Sequence, residues 1–207
     1  MRGRDLTVIK LGGSHAFAPQ LKDWIGAVAA QAGRIVLVPG GGPFADAVRD
    51  AQARMGFDDG AAHRMALLAM EQFGCALASG RREFSPADSQ AAIARALEVK
   101  QVPVWLPTRM VLAADIPASW EVTSDSLAAW LAAKLGARRL LLVKHVDAGA
   151  TAVRVRELVA RGIVDPAFPR FLRFLPAETS AFMLGPHDHA ALAGMSEGKI
   201  GTRIDPC

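Results

Sequence analysis

A lysine lies inside an apolar stretch near the start of the chain. Residues 8–15 read VIKLGGSH, so Lys10 is followed almost at once by two glycines. A charged side chain at a core position is costly unless an opposite charge meets it. A second glycine run, Gly40–Gly42, follows another apolar stretch about thirty residues later. Glycines let backbone N–H groups approach an anion closely, and the start of a following helix adds positive potential. The pattern therefore favours a phosphate site in which Lys10 meets a phosphate, over two tight turns with Lys10 extended into solvent.

An aspartate at the start of a predicted helix is the second candidate for a catalytic residue. Asp125 lies in VTSDSLAAW, in the first turn of a predicted helix. The local explanation, which residue patterns alone favour, is that Thr123 or Ser124 caps the helix and Asp125 complements its dipole. Phosphoryl transfer offers another role, because that reaction needs a carboxylate to hold lysines or Mg²⁺ in place. Both explanations stay open at this point.

The elements that must position these residues alternate between apolar strands and amphipathic helices. Strands are predicted at residues 6–11 and 34–38 and in QVPVWLP, LLLV, SAFMLG and GKIGTRI. Helices are predicted at about 19–32, up to 55, at 60–79, from near Pro86 and after Thr123, with short helices at 153–175 and 187–195. Strand–helix–strand spacing implies parallel neighbouring strands. We expect an α/β fold, a three-layer α/β/α sandwich with a mainly parallel open sheet, as a single domain over residues 1–207.

Composition narrows the class of protein. With 51% hydrophobic and 21% charged residues, the chain can bury a real core. No apolar run reaches the ~20 residues of a membrane span, and residues 1–5 do not begin a secretory segment, so we expect a cytoplasmic protein with no membrane partner. The formal charge of +4 comes from scattered basic pairs, which favours small phosphorylated or carboxylate ligands over nucleic acid.

Cys75 and Cys207 form no metal or disulfide pattern, and Cys75 is expected in the core. The apolar helix ALLAMEQFGCALA favours a homo-oligomer.

Several motifs occur together in one order. KLGGS, PGGG, TSDSLAAWLAAKLGA before LLLVKHVDA, and a closing GTRI resemble the amino acid kinase family. The resemblance implies transfer of the γ-phosphoryl of MgATP to a carboxylate, carbamate or phosphate oxygen, with ATP and Mg²⁺ as cofactors. It also implies that Lys10 bridges the donor and acceptor phosphates and that Asp125 orients the catalytic lysines.

The resemblance extends to the binding residues. It implies nucleotide binding by Gly12, Gly13, Ser14, Lys144, His145 and Asp147, and acceptor binding by Gly40, Gly41, Gly42, His63 and Arg64. Three positions of the family's TDVDG loop differ, at Lys144, His145 and Ala148, and the family's second catalytic lysine has no match. Either Lys144 or Arg170 is a candidate to supply its charge. No metal-ligating residues are expected, since the histidines of GPHDHA are interpreted as an exposed turn.

Within the family, AHRMALLAMEQFG and SDSLAAWLAAKLGA are most similar to a short archaeal-type branch. That branch includes a kinase of methanofuran biosynthesis, which phosphorylates the phosphate of an aminomethylfuranmethyl phosphate. The resemblance thus implies this acceptor. Two alternatives remain: a non-catalytic protein on the same fold that binds or stores ATP or an oxyanion, and a nucleotide kinase similar to UMP kinase.

Overall fold

Eight strands form one sheet in residues 6–147, 149–195 and 200–206, which the computed structural model describes. The strands are β1 (Thr7–Leu11), β2 (Ile35–Pro39), β3 (Phe84–Ala87), β4 (Val102–Trp105), β5 (Arg139–Val143), β6 (Ala152–Arg154), β7 (Ser180–Leu184) and β8 (Thr202–Asp205). Their spatial order is β3-β4-β2-β1-β5-β7-β8-β6. Neighbours are parallel except β7 and β8, which are antiparallel. The predicted open, mainly parallel sheet is confirmed.

Helices connect the strands and cover both faces of the sheet. They are α1 (Leu21–Ala29), α2 (Gly42–Met55), α3 (Asp59–Ser79), α4 (Gln90–Glu98), α5 (Thr108–Leu112), α6 (Ser124–Leu135), α7 (Val155–Ala160) and α8 (Phe168–Leu172). Successive residues of β1 point to opposite faces. Val8 packs in a cluster with Leu127 of α6, whereas Ile9 packs in a second cluster with Trp24 of α1. The α/β/α sandwich predicted from the sequence is therefore confirmed.

Some predicted elements shift or change type. The helix expected from near Pro86 begins at Gln90, because Ser89 caps it by accepting a hydrogen bond from Ala92 N–H at 3.3 Å. The preceding residues 84–87 instead form β3, paired with β4. Likewise, the excursion at 153–175 contains an edge strand, β6, before its two short helices. The predicted last strand is confirmed at residues 202–205, while residues 198 and 199 of GKIGTRI lie outside the described residues.

The exposed face of α3 bears on two predictions, the core position of Cys75 and the homo-oligomer. Cys75 is exposed on α3, so its predicted core position is wrong, and Cys207 lies outside the described residues. Met65 and Leu68 of the same helix also have exposed side chains, so α3 does carry apolar surface on a second side. The homo-oligomer stays a prediction. Among the described residues, no helix has the length and apolar character to cross a membrane.

Candidate active site

Two buried lysines share one buried aspartate. Lys10 Nζ lies 2.9 Å from Asp125 Oδ1, and Lys144 Nζ lies 2.6 Å from Asp125 Oδ2. Lys10, Lys144 and Asp125 are 5%, 8% and 3% exposed, respectively. One carboxylate thus holds two ammonium groups together. Ammonium groups fixed side by side are donors that an incoming anion can contact together.

The sheet explains why both lysines reach the same carboxylate. Lys10 of β1 lies opposite Leu142 of β5, and Lys144 follows Leu142 by two residues. Side chains two residues apart in a strand share a face, so both lysines point to the face that α6 covers. Asp125 lies in the first turn of α6, directly above the ends of these neighbouring strands. Asp125 is therefore the opposite charge that the buried Lys10 requires.

The close approach of charges changes the pKa of both partners. Burial raises the pKa of Asp125, but attraction to Lys10 and Lys144 and the hydrogen bond from Lys144 outweigh burial, and the pKa lies below its usual range. Burial and repulsion by Lys10 lower the pKa of Lys144 from 10.5 to about 8, despite attraction to Asp125. Asp125 is therefore ionised at neutral pH, and Lys144 is protonated there but loses its proton within a pH range that enzymes tolerate.

A second buried carboxylate supports the start of α6. Asp165, in the segment between α7 and α8, accepts hydrogen bonds from the backbone N–H groups of Thr123 and Ser126 at 3.1 and 3.0 Å. It also accepts from the hydroxyls of both residues, that of Thr123 at 2.8 Å. Thr123 occupies the N-cap position but makes no capping bond with its own side chain. The capping expected from Thr123 or Ser124 thus comes from a distant aspartate.

The two glycine loops touch each other beside the lysines. A Cβ at Gly13 would lie 2.1 Å from Gly42 N, and one at Gly40 would lie 2.4 Å from Gly13 N. Real side chains do not fit at such distances, so both loops depend on glycine to come this close. Gly42 also has a φ of +54°, a conformation that favours glycine.

A cavity of about 720 Å³ opens over these loops and the lysine–aspartate cluster. Ten of the residues predicted for the site line it: Lys10, Gly12, Gly13, Ser14, Gly41, Gly42, His63, Asp125, Lys144 and His145. The predicted residues Gly40, Arg64 and Asp147 do not line it. Gly40 packs beneath Gly13, whereas Arg64 and Asp147 are exposed. The roles assigned to all of these residues stay predictions.

The two candidates for the missing second lysine occupy different places. Lys144 lies in the cluster, whereas Arg170 is exposed on α8 and does not line the cavity. The histidines of GPHDHA also lie elsewhere: His189 packs edge-on against Trp24, with ring centroids 6.1 Å apart, and His187 is exposed. Within the residues described, no group of three metal-ligating side chains is found.

Sequence reasoning missed part of the cavity wall. Trp120 lines the cavity, and its Nε1–H donates to Gln52 Oε1 of α2 at 2.7 Å. The guanidinium of Arg49 lies over the same ring, 4.3 Å from its centroid. Asp165 also lines the cavity. No pattern identified either residue, since Trp120 lies in a segment without helix or strand periodicity and Asp165 acts across 39 residues of chain.

The chain matches a family model over residues 5–148, and that model describes the amino acid kinase family. The chain belongs to the amino acid kinase family. The predicted family is thus confirmed, and with it the general class of phosphotransferase. A relative from Methanocaldococcus jannaschii, named [5-(aminomethyl)furan-3-yl]methyl phosphate kinase, is 29% identical over 143 residues. This match covers 68% of the chain and 66% of the relative.

Solved structures of nucleotide kinases share the fold. Uridylate kinase from Archaeoglobus fulgidus superposes with a TM-score of 0.71 at 18% identity, covering 97% of this chain and 100% of that one. UMP kinase from Ureaplasma parvum gives 0.68 at 18% identity, with 97% and 99% covered. These similarities show a common fold over almost the whole chain.

Proposed function

We propose that this chain transfers the γ-phosphoryl group of MgATP to the phosphate of a small acceptor, [5-(aminomethyl)furan-3-yl]methyl phosphate. The observation that carries the kinase assignment is the buried cluster in which Asp125 holds both Lys10 and Lys144. The cluster lies in one cavity with two interlocked glycine loops. The acceptor is proposed from the archaeal relative.

The site fits a polyphosphate. Negative charge spreads over the oxygens of a phosphoryl group as it transfers, and preorganised cations stabilise that charge. Lys10 and Lys144 are held in place by Asp125 before any ligand arrives, so they need no reorganisation during the reaction. The glycine loops leave room for backbone N–H groups to approach phosphate oxygens. MgATP, when bound, supplies the phosphoryl group and the metal that neutralises part of its charge.

Lys144 takes the place of the second lysine that the family pattern provides elsewhere. Its Nζ contacts the carboxylate oxygen that Lys10 does not contact. Each carboxylate oxygen of Asp125 is therefore in contact with one ammonium group. We assign Lys10 and Lys144 to stabilisation of the transferring group and Asp125 to the orientation of both.

The test is ADP formation with MgATP against a panel of acceptors: the aminomethylfuran phosphate, UMP, acetylglutamate and carbamate. We expect turnover with the furan phosphate and little with the others. Lys10→Met and Lys144→Met should each lose at least about 100-fold in kcat, the scale of removing one preorganised stabilising group. Lys22→Met, at an exposed position on α1, is the matched control and should keep wild-type turnover.

The other outcomes separate the alternatives. Turnover with UMP alone would make the chain a nucleotide kinase and would contradict the proposed acceptor. Tight ATP binding without turnover on any acceptor would contradict the kinase assignment and favour the binding or storage protein.

A further inference from the structure

The carboxylate of Asp165, a residue that the sequence did not predict for the site, accepts four hydrogen bonds. Its two carboxylate oxygens accept all of their hydrogen bonds from Thr123 and Ser126, two from backbone N–H groups and two from hydroxyls. The residue is 7% exposed. A buried carboxylate is costly unless donors satisfy it, and here each donor belongs to the first turn of α6 or to its N-cap.

The two backbone N–H groups that contact Asp165 can only donate, so they favour its ionised form. Each of its four partners acts as a donor, which suits a carboxylate with acceptor capacity only. Burial and repulsion by Asp125 raise the pKa of Asp165, whereas the hydrogen bonds from Ser126 and Thr123 lower it and partly offset that rise. The start of the helix that carries Asp125 thus stabilises the ionised form of Asp165.

We infer that Asp165 is a positioning residue for phosphoryl transfer, which holds the first turn of α6 so that Asp125 faces both lysines, and which places a second negative charge beside Lys144. This inference rests on the proposed function. Ser126 directly follows Asp125 in the chain, so a movement of the helix start displaces the Asp125 carboxylate. Because that carboxylate contacts Lys10 and Lys144 through different oxygens, a small rotation loses one of the two contacts.

The charge of Asp165 also affects the pKa of Lys144. Asp125 from α6 and Asp165 from the segment after α7 both favour its protonated form, while Lys10 from β1 opposes it. His15 from the first glycine loop and the adjacent His145 are the other titratable groups in this cluster. Removal of the Asp165 charge therefore lowers the pKa of Lys144 below about 8. If transfer requires protonated Lys144, the alkaline fall of kcat/KM moves to lower pH.

The test compares Asp165→Asn with a double variant, Thr123→Val with Ser126→Ala. Asp165→Asn keeps the side-chain shape but removes the charge and faces an NH₂ group toward donors. We expect kcat to fall about 10- to 100-fold, the scale of losing a residue that orients a functional group. The KM values should stay within about threefold, and the alkaline limb should shift to lower pH. The double variant keeps the charge and removes two donors, so we expect a lower kcat with an unmoved limb.

Two results would overturn the inference. One is a wild-type kcat and pH profile in Asp165→Asn; the other is a wild-type kcat in the double variant, which applies even if Asp165→Asn does not fold. Asp115→Asn, at an exposed loop position, is the control for loss of a carboxylate and should keep the wild-type kcat and pH profile.

A readout without turnover separates this inference from the proposed function. The pH dependence of the unfolding free energy reports the titration of Lys144 whether or not any acceptor reacts. In Asp165→Asn the rise of unfolding free energy with pH should begin at lower pH than in the wild type. A rise that begins at the same pH would contradict the effect of Asp165 on the pKa of Lys144, even if every acceptor of the panel reacted.

Discussion

The buried Lys144 predicts an unusual dependence of stability on pH. Its pKa is about 8 in the folded chain and 10.5 in its ordinary state, owing to burial and to repulsion by Lys10. Between these values the unfolded chain still holds the Lys144 proton, whereas the folded chain has lost it. The unfolding free energy therefore rises with pH across this window, because the unfolded state binds more protons. Below pH 8 both states are protonated, and Lys144 adds no pH dependence.

The size of the rise follows from the shift. One pKa unit corresponds to 1.36 kcal/mol, so the full window is worth about 3 kcal/mol, and the interval from pH 7.5 to pH 10 is worth about 2 kcal/mol. The chain contains no tyrosine, so no phenol titrates in the same interval.

The assay is chemical denaturation of the wild type and Lys144→Met at pH 7.5 and pH 10. Methionine keeps a long apolar stem without the ammonium group, and Asp125 retains Lys10 as its partner. The difference in unfolding free energy, wild type minus variant, should increase by about 2 kcal/mol at the higher pH. Lys22→Met should show no such increase. If the difference in unfolding free energy between wild type and Lys144→Met is the same at both pH values, the pKa of Lys144 is not strongly lowered. That result would also contradict the burial of Lys144 beside Lys10 as the cause of the shift.

Three further substitutions test other parts of the account. Asp125→Asn removes the carboxylate that both buried ammonium groups contact, so we expect a loss of about 3–5 kcal/mol in unfolding free energy; Asp50→Asn, on the exposed side of α2, should lose almost none. Gly13→Ala forces a Cβ against the backbone of the second glycine loop and should weaken binding of an ATP analogue in calorimetry. Gly26→Ala, where the nearest atom would be 3.7 Å from the new Cβ, should leave binding intact. Trp120→Phe loses its hydrogen bond to α2 and should cost about 1 kcal/mol in urea denaturation, and equal stability would contradict a structural role for that bond.

Much of the fold was predictable because its signals are local. Apolar strands alternate with amphipathic helices at the spacing of parallel strand connections, and α6 ends at a glycine, Gly136, with a φ of +61°, a common signal for the end of a helix. The missed strands β3 and β6 are short pieces at the two edges of the sheet. The sequence FSPA of β3 contains a proline, which weakens its strand signal.

The site was partly predictable for a similar reason. Lys10 and the glycine loops follow apolar strands, so their place at the strand ends could be inferred from order alone. From the sequence, Lys144 was a candidate but could not be chosen over Arg170, because the choice depends on which face of the sheet the side chain just after β5 takes. Asp165 could not be found, since its partners are distant in the chain and a lone aspartate in a loop carries no pattern.

Phosphoryl transfer at the cation pair around Asp125 can be followed by ³¹P NMR. The mixture contains MgATP, the aminomethylfuran phosphate and either wild type, Lys144→Met or Lys22→Met. We predict that the wild type and Lys22→Met convert the acceptor resonance into the two coupled resonances of a diphosphate, with one ADP formed per product. Lys144→Met should form this product at least about 100-fold more slowly. Diphosphate formation by Lys144→Met at the wild-type rate would contradict the account.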